Sequence, residues 1–420
     1  MVMDQAIAGK EVTLSDIADI FLGGTPKTNI DKYWGGDINW ASAKDVANCK
    51  SRYIEETEKT ITEEGINNSA AKILPENTIL ITSRGTVGAT CLLSHPMSFN
   101  QTCYGLVAKE SIIDPLYLFY KIRTLMTTID SLSYGTIFNT ITKKTFDSLK
   151  FILPSLPEQK AIASILGALD DKIELNRKMN ETLEAMARAI FKSWFVDFDP
   201  SPSLGPHKEW HDSPLGKIPK GWRILTIGDI AENVRKGIDP GHITPDTPYI
   251  GLEHMPRKSI ALSEWDNAED VVSNKFLFRK NDILFGKLRP YFHKVGVAAL
   301  DGCCSTDILV TSPKKATWYG LVLLHISSDD FVSYADGASS GTKMPRTNWT
   351  DMARYKIVFP GEEIAEKFND IIWSMVQTIQ ANIFQSRTLA TIRDALLPKL
   401  LSGKLQVNSR ELKEGINVDN

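Results

Sequence analysis

The chain of 420 residues predicts an α+β fold: two globular domains with mixed β-sheet, joined by two long antiparallel coiled-coil helices in a pseudo-twofold internal repeat. Three observations predict it. The chain matches itself at a period of roughly 205 residues, far beyond the roughly 20 to 50 of solenoid repeats, so each copy is a domain plus an attached element. Each copy ends in a long stretch with little proline or glycine and an apolar seam stepping by four and three, the coiled-coil period. Each copy also contains an apolar strand, a polar turn and a second strand.

Taken in order, Leu14-Ser15-Asp16-Ile17-Ala18-Asp19-Ile20 is answered by Thr226-Ile227-Gly228-Asp229-Ile230-Ala231-Glu232, an amphipathic opening to each globular copy. Ile73 to Leu80 then matches Leu277 to Leu284 as strand, turn and strand. Asn100-Gln101-Thr102 aligns with Ser305-Thr306-Asp307, and Phe151 to Pro154 with Ile357 to Pro360. After Pro154 the first helix carries the seam Ile162, Leu166, Leu169, Ile173, Asn176, Asn180, Leu183, Ala187, Ile190, Trp194. The second repeats it as Phe368, Ile372, Met375, Ile379, Asn382, Ser386, Leu389, Arg393, Leu396, Leu400. Polar residues at mid-seam weaken such a pair but fix its register. Some 38 helical residues would span roughly 57 Å, which makes each helix a spacer. Between the copies, Pro200, Pro202, Pro206, Pro214 and Pro219 predict a surface linker. The expected order is a globular domain at 11–154, a helix at 155–199, a linker at 200–222, a second domain at 223–360, a second helix at 361–405 and a tail at 406–420.

Composition narrows the function. With 48 Lys+Arg against 51 Asp+Glu the net charge is -3, which argues against a protein that coats nucleic acid without specificity but leaves local patches open. No apolar run approaches the roughly 18 to 20 residues of a membrane span, and the opening residues lack a signal-peptide pattern, so a cytoplasmic location is expected. The five cysteines show no C-x-x-C spacing, and reduced, mostly buried thiols are expected rather than zinc ligands. Gly23-Gly24-Thr25-Pro26-Lys27-Thr28 lacks the spacing of a phosphate-binding loop. His207 and His211 sit among prolines rather than on a helix, so no metal site is expected there. No Asn/Asp-Pro-Pro-Tyr-like methyltransferase tetrapeptide is present; the nearest stretch, Asp199-Pro200-Ser201-Pro202, falls in the linker. No catalytic residue is therefore assigned.

Leu156-Pro157-Glu158-Gln159-Lys160, the run Leu169 to Asn176 and Phe191-Lys192-Ser193-Trp194-Phe195 closely resemble the central conserved region of type I restriction-modification specificity subunits. The segment Leu396 to Leu405 is similar to their distal conserved region, and Gly23-Gly24-Thr25-Pro26 and Ile81-Thr82-Ser83-Arg84-Gly85 to segments of their target-recognition domains. The resemblance covers roughly residues 11 to 406. It implies two target-recognition domains, each reading one half of a split double-stranded DNA site; the divergence of the two copies predicts an asymmetric target, and centres about 35 to 45 Å apart would set the half-sites about one helical turn apart. It also implies two docked methyltransferase subunits and motor-nuclease subunits. S-adenosylmethionine, ATP and Mg would belong to those partners, and this chain would hold no cofactor. A self-contained modification or restriction enzyme, and the recognition subunit of a related type II system, are the alternatives.

Candidate DNA contacts must be local, since neither globular copy is basic overall. Arg84 follows a strand, and Lys287, Arg289 and Tyr291 occupy the matching place; arginine offers bidentate contacts to guanine or phosphate. Asn139, Thr140, Lys143 and Lys144 form a second polar loop before the final strand, answered by Lys343, Arg346, Thr347 and Asn348. Asn100 and Gln101 could read adenine, although a strand-end turn explains them equally well.

Overall fold

The computed structural model describes residues 9–132, 140–199, 209–341 and 343–407. They belong to two compact units, Met1–Glu174 with Thr388–Asn420, and Leu175–Arg387. Among the described residues, no helix is long and apolar enough to cross a membrane.

In the first unit a short antiparallel ribbon pairs Glu11–Thr13 with Lys150–Ile152. Beside it lies a sheet whose strands run in the order Ala18–Leu22, Cys103–Ala108, Ile79–Thr82, Thr90–Leu93, Tyr53–Ile54, the last pair parallel. Ile79, Leu80 and Ile81 are all fully buried because both faces are covered, which is why this strand reads as an apolar run rather than an alternation. Helix Pro115–Leu132 packs Tyr117, Leu118 and Tyr120 into the same core as Ile162, Leu166, Leu400 and Leu401 of the two long helices.

The second unit repeats this plan. Its ribbon pairs Arg223–Thr226 with Lys356–Phe359, and its sheet runs Ala231–Asn233, Ile308–Pro313, Ile283–Gly286, Val295–Val297. Both domain openings are built alike: Thr13 and Thr226 cap a single helical turn, and Asp16 and Asp229 each accept from the cap backbone N–H at 2.7 Å. Thr226 therefore corresponds to Thr13 rather than Leu14, one residue from the register expected above. Asn77 and Asn281 both adopt left-handed backbone in the turn before the central strand, a conformation asparagine tolerates. The strand expected before that turn forms at Lys275–Phe278, whereas its counterpart is reduced to a single bridge from Leu74 to Met97.

The expected linker is partly structured. Trp210–Ser213 and Gly216–Pro219 form an antiparallel hairpin, with Gly216 in left-handed backbone at its turn, and Ile218 and Trp222 enter the main core of the second unit. Proline there ends strands without keeping the segment off the core.

The long helices are Leu156–Phe195 and Glu362–Leu401. Within the first unit Asp170 pairs with Arg393 at 2.5 Å, and within the second Asn176 donates to Gln385 at 2.8 Å and Asn382 donates to Asn180 at 2.9 Å, a descending order that makes the pairing antiparallel. Ile162, Leu166, Asn176, Phe368, Ile372, Ile379 and Asn382 are buried, as the seam requires. Leu169, Ile173, Leu183, Ile190, Met375, Leu389 and Leu396 are only half-buried, whereas Asp170, Glu184, Phe191, Val376 and Ile383 on the same helices are buried. All five cysteines are free thiols, and four are buried.

Candidate functional site

Three loops of the second unit converge where the central strand Ile283–Gly286 ends. The Lys287 N–H donates to the Asp307 carbonyl at 2.9 Å, and the Lys287 carbonyl accepts from the Thr347 N–H at 3.1 Å. The loop after the strand is thus clasped from both sides by backbone alone. Arg289, in left-handed backbone, donates its N–H to the Pro345 carbonyl at 2.8 Å and points Nη2 toward the Lys343 carbonyl at 3.5 Å. Arg346 engages Asp307 through Nε at 3.0 Å and Nη2 at 3.3 Å. Ser305 accepts from the Asp307 N–H at 3.2 Å, closing the turn that carries this carboxylate.

The first unit makes the same clasp with different side chains. Ser83 N–H donates to the Thr102 carbonyl at 2.8 Å, and Ile141 N–H donates to the Ser83 carbonyl at 3.1 Å. Ser83, Thr102 and Ile141 thus stand where Lys287, Asp307 and Thr347 stand in the second unit. Gly85 takes the left-handed place of Arg289. Asn100 accepts from the Thr102 N–H at 3.1 Å and hydroxyl at 2.7 Å, and Gln101 accepts from the Thr25 hydroxyl. The Gly23-Gly24 pair is required by crowding: a Cβ on Gly23 would overlap the Asn100 carbonyl, and one on Gly24 the Ala70 backbone.

The loops nominated from sequence therefore meet, two sets of three, but their side chains divide into different roles. Arg84, Lys143, Lys144 and Tyr291 are exposed, while Thr140, Lys287 and Arg289 are half-buried. Lys143 and Lys144 open a helix capped by Thr142. Asn348 is an N-cap: its side-chain oxygen accepts from the Asp351 N–H at 3.0 Å, and its amide donates to the Asp351 carboxylate at 2.7 Å, which uses the amide within the fold. Thr347 is buried. Asn100 closes its strand-end turn, the plainer of the two readings offered for it. Asn139 and His207 lie outside the described residues, and His211 sits on the exposed strand of the hairpin. The counterpart of Lys287 is Ser83, not Arg84, since the backbone clasp fixes the register one residue earlier.

Two participants escaped the sequence reading. Asp307 was visible in an aligned triplet, yet nothing in the triplet says that Arg346 is its partner. Arg257, stacked 4.1 Å from the Phe292 ring centre beside Tyr291, carries no local signal at all. Asp329 completes that corner: its carboxyl is held below the usual range by Lys258, 3.0 Å away, and by His293 at 3.2 Å.

The comparisons with known proteins agree with this duplicated architecture. Residues 9–185 match the model of the type I restriction modification DNA specificity domain. The MjaIX type I restriction enzyme specificity subunit of Methanocaldococcus jannaschii is 29% identical over 414 residues, covering 94% of this chain and 93% of that one. Over almost its whole length the chain is thus similar to type I restriction-modification specificity subunits. A second such subunit of the same organism, from MjaVIII, is 27% identical over 95% of this chain and 93% of its own. The S subunit structure from M. genitalium superposes with a TM-score of 0.52 at 15% identity, covering 94% of this chain and 96% of that one, which shows a shared fold.

Proposed function

We propose that this chain is a type I restriction-modification specificity subunit that uses its two three-loop clusters to read the two halves of an asymmetric bipartite site on double-stranded DNA. The observation that carries the reading is the repeated clasp: identical backbone bonds at equivalent places hold different side chains. Backbone bonds fix position, and the side chains at loop tips provide what differs between targets. Arg84, Thr140, Lys143 and Lys144 would serve one half-site, and Lys287, Arg289, Tyr291, Lys343 and Arg346 the other. The long helices would dock two methyltransferase subunits, and motor-nuclease subunits would join for cleavage in the cytoplasm. This chain would be non-catalytic, with S-adenosylmethionine, ATP and Mg held by those partners.

The test is methylation in cells that carry this chain with its methyltransferase partner, read by sequencing the modified sites. A two-part motif with unlike halves supports the reading. Methyl transfer by the purified chain alone, given DNA and S-adenosylmethionine, would instead make it a self-contained enzyme.

A further inference from the structure

At equivalent positions of the two clasps, the second unit holds Asp307 and Arg346 where the first holds Thr102 and Thr140. An ion pair thus replaces two hydroxyls on an otherwise shared frame. Both members are anchored. Asp307 is held through its carbonyl by Lys287 N–H and through its own N–H by Ser305. Arg346 exchanges two backbone bonds with Ser340, at 3.0 and 3.1 Å, and bridges Leu288.

Cohesion is a poor explanation for this pair. Arg346 is 45% exposed and Asp307 26%, and surface ion pairs contribute little to stability, whereas the loops are already joined by backbone bonds. The geometry fits orientation instead. Asp307 occupies Nε and one side of Nη2, which leaves the outer edge of the guanidinium, with N–H groups from both terminal nitrogens, available to a pair of acceptors. The guanine edge in the major groove presents such a pair, O6 and N7. Fixing the rotamer beforehand removes much of the entropy a free arginine would lose on binding. Lys287, Arg289 and Lys343 lie on the loops that backbone bonds join to this pair and bring positive charge suited to flanking phosphates, and the Arg289 Nε is buried with no partner.

We propose that Arg346, oriented by Asp307, reads a guanine in the half-site served by the second unit, with Asp307 as the positioning residue. The inference rests on the DNA-reading function proposed above. It is tested by sequencing methylated sites from cells carrying the methyltransferase partner with wild-type chain, R346A, R346K or D307N. Arg346→Ala is expected to relax one guanine position of one half-site by about 10- to 100-fold in base discrimination, leaving the other half-site unchanged. Arg346→Lys keeps the charge but not the fork and should relax the same position. Asp307→Asn should relax that position less. Should R346A abolish methylation altogether, R346K decides. An unrelaxed motif in R346K would overturn the proposal, as would a uniform loss of methylation in every variant with no base relaxed, which marks a phosphate contact. Failure of the wild type to methylate any two-part motif would refute the underlying function instead.

Discussion

Glu184 offers a direct test of how the second domain is fastened to the first long helix. Its carboxylate is 2% exposed and accepts from the Ser259 hydroxyl at 2.7 Å, the Ile260 N–H at 3.1 Å and the Ala261 N–H at 3.3 Å. Arg188, one turn later, sits 3.4 Å from the second oxygen. Replacing Glu184 by alanine strands the buried Ile260 N–H, while Ala261 keeps the Ser259 hydroxyl at 3.2 Å as a substitute. One orphaned donor costs about 1–3 kcal/mol, and the lost charge-assisted bonds bring the total to about 3 kcal/mol. For a unit of this size that corresponds to roughly 6–12 °C in melting temperature. Glu184→Gln keeps one oxygen but turns an amide N–H toward a donor, so an intermediate fall is expected. The assay is thermal melting together with hydrogen exchange over residues 255–265, where faster exchange at Ile260 is the local signature. If E184A melts within about 2 °C of wild type with unchanged exchange there, the carboxylate is not the fastening.

Further expectations concern the seam, two titrating groups and the domains. Asn382→Leu alone orphans the Asn180 side-chain oxygen and should destabilise by about 1–3 kcal/mol, whereas N180L with N382L removes both partners and should recover that loss in urea melts. His325 is buried edge-on to Phe191, with Nε2 unpartnered and burial pushing its pKa down to about 3. The unfolded chain then binds the extra proton between about pH 3 and 6.5, so stability falls as pH drops through that window, by about 2 kcal/mol at pH 5, and His325→Phe should flatten the dependence. Cys49, its pKa lowered to about 7 by the Cys91 hydrogen bond, should alkylate first among the thiols, and Cys91→Ala should move the midpoint of its pH–rate curve upward. Exchanging residues 223–358 for those of another specificity subunit should change one half-site of the methylated motif and preserve the other; a change in both halves would refute the modular reading.

The repeat, the paired helices and the convergent loops were legible because each rests on local pattern: apolar runs, a heptad seam, polar turns at fixed offsets. What was hidden depends on partners distant in sequence. The seam of fours and threes does not reveal that Asp170 and Glu184 turn inward, since a buried carboxylate makes sense only once Tyr120 or the Ser259–Ala261 backbone is beside it. Likewise Asn348 and Arg346 look alike as polar loop residues, and only the fold separates a helix cap from an oriented guanidinium. The hairpin at Trp210–Pro219 was masked by its prolines, whose local signal outweighs the apolar Ile218 and Trp222.

The division of the chain also sets an order of events at the ribosome. Leu175–Arg387 is one continuous stretch, so that unit has all its parts as soon as its last residue emerges. The other is discontinuous: its core includes Leu400 and Leu401, made roughly 225 residues after Glu174. At about 5 to 20 residues per second, the nascent first domain waits some 10 to 45 seconds with the surface meant for those leucines bare. The later domain can therefore finish folding before the earlier one, and chains stopped ahead of Leu400 would present that apolar surface to chaperones and proteases.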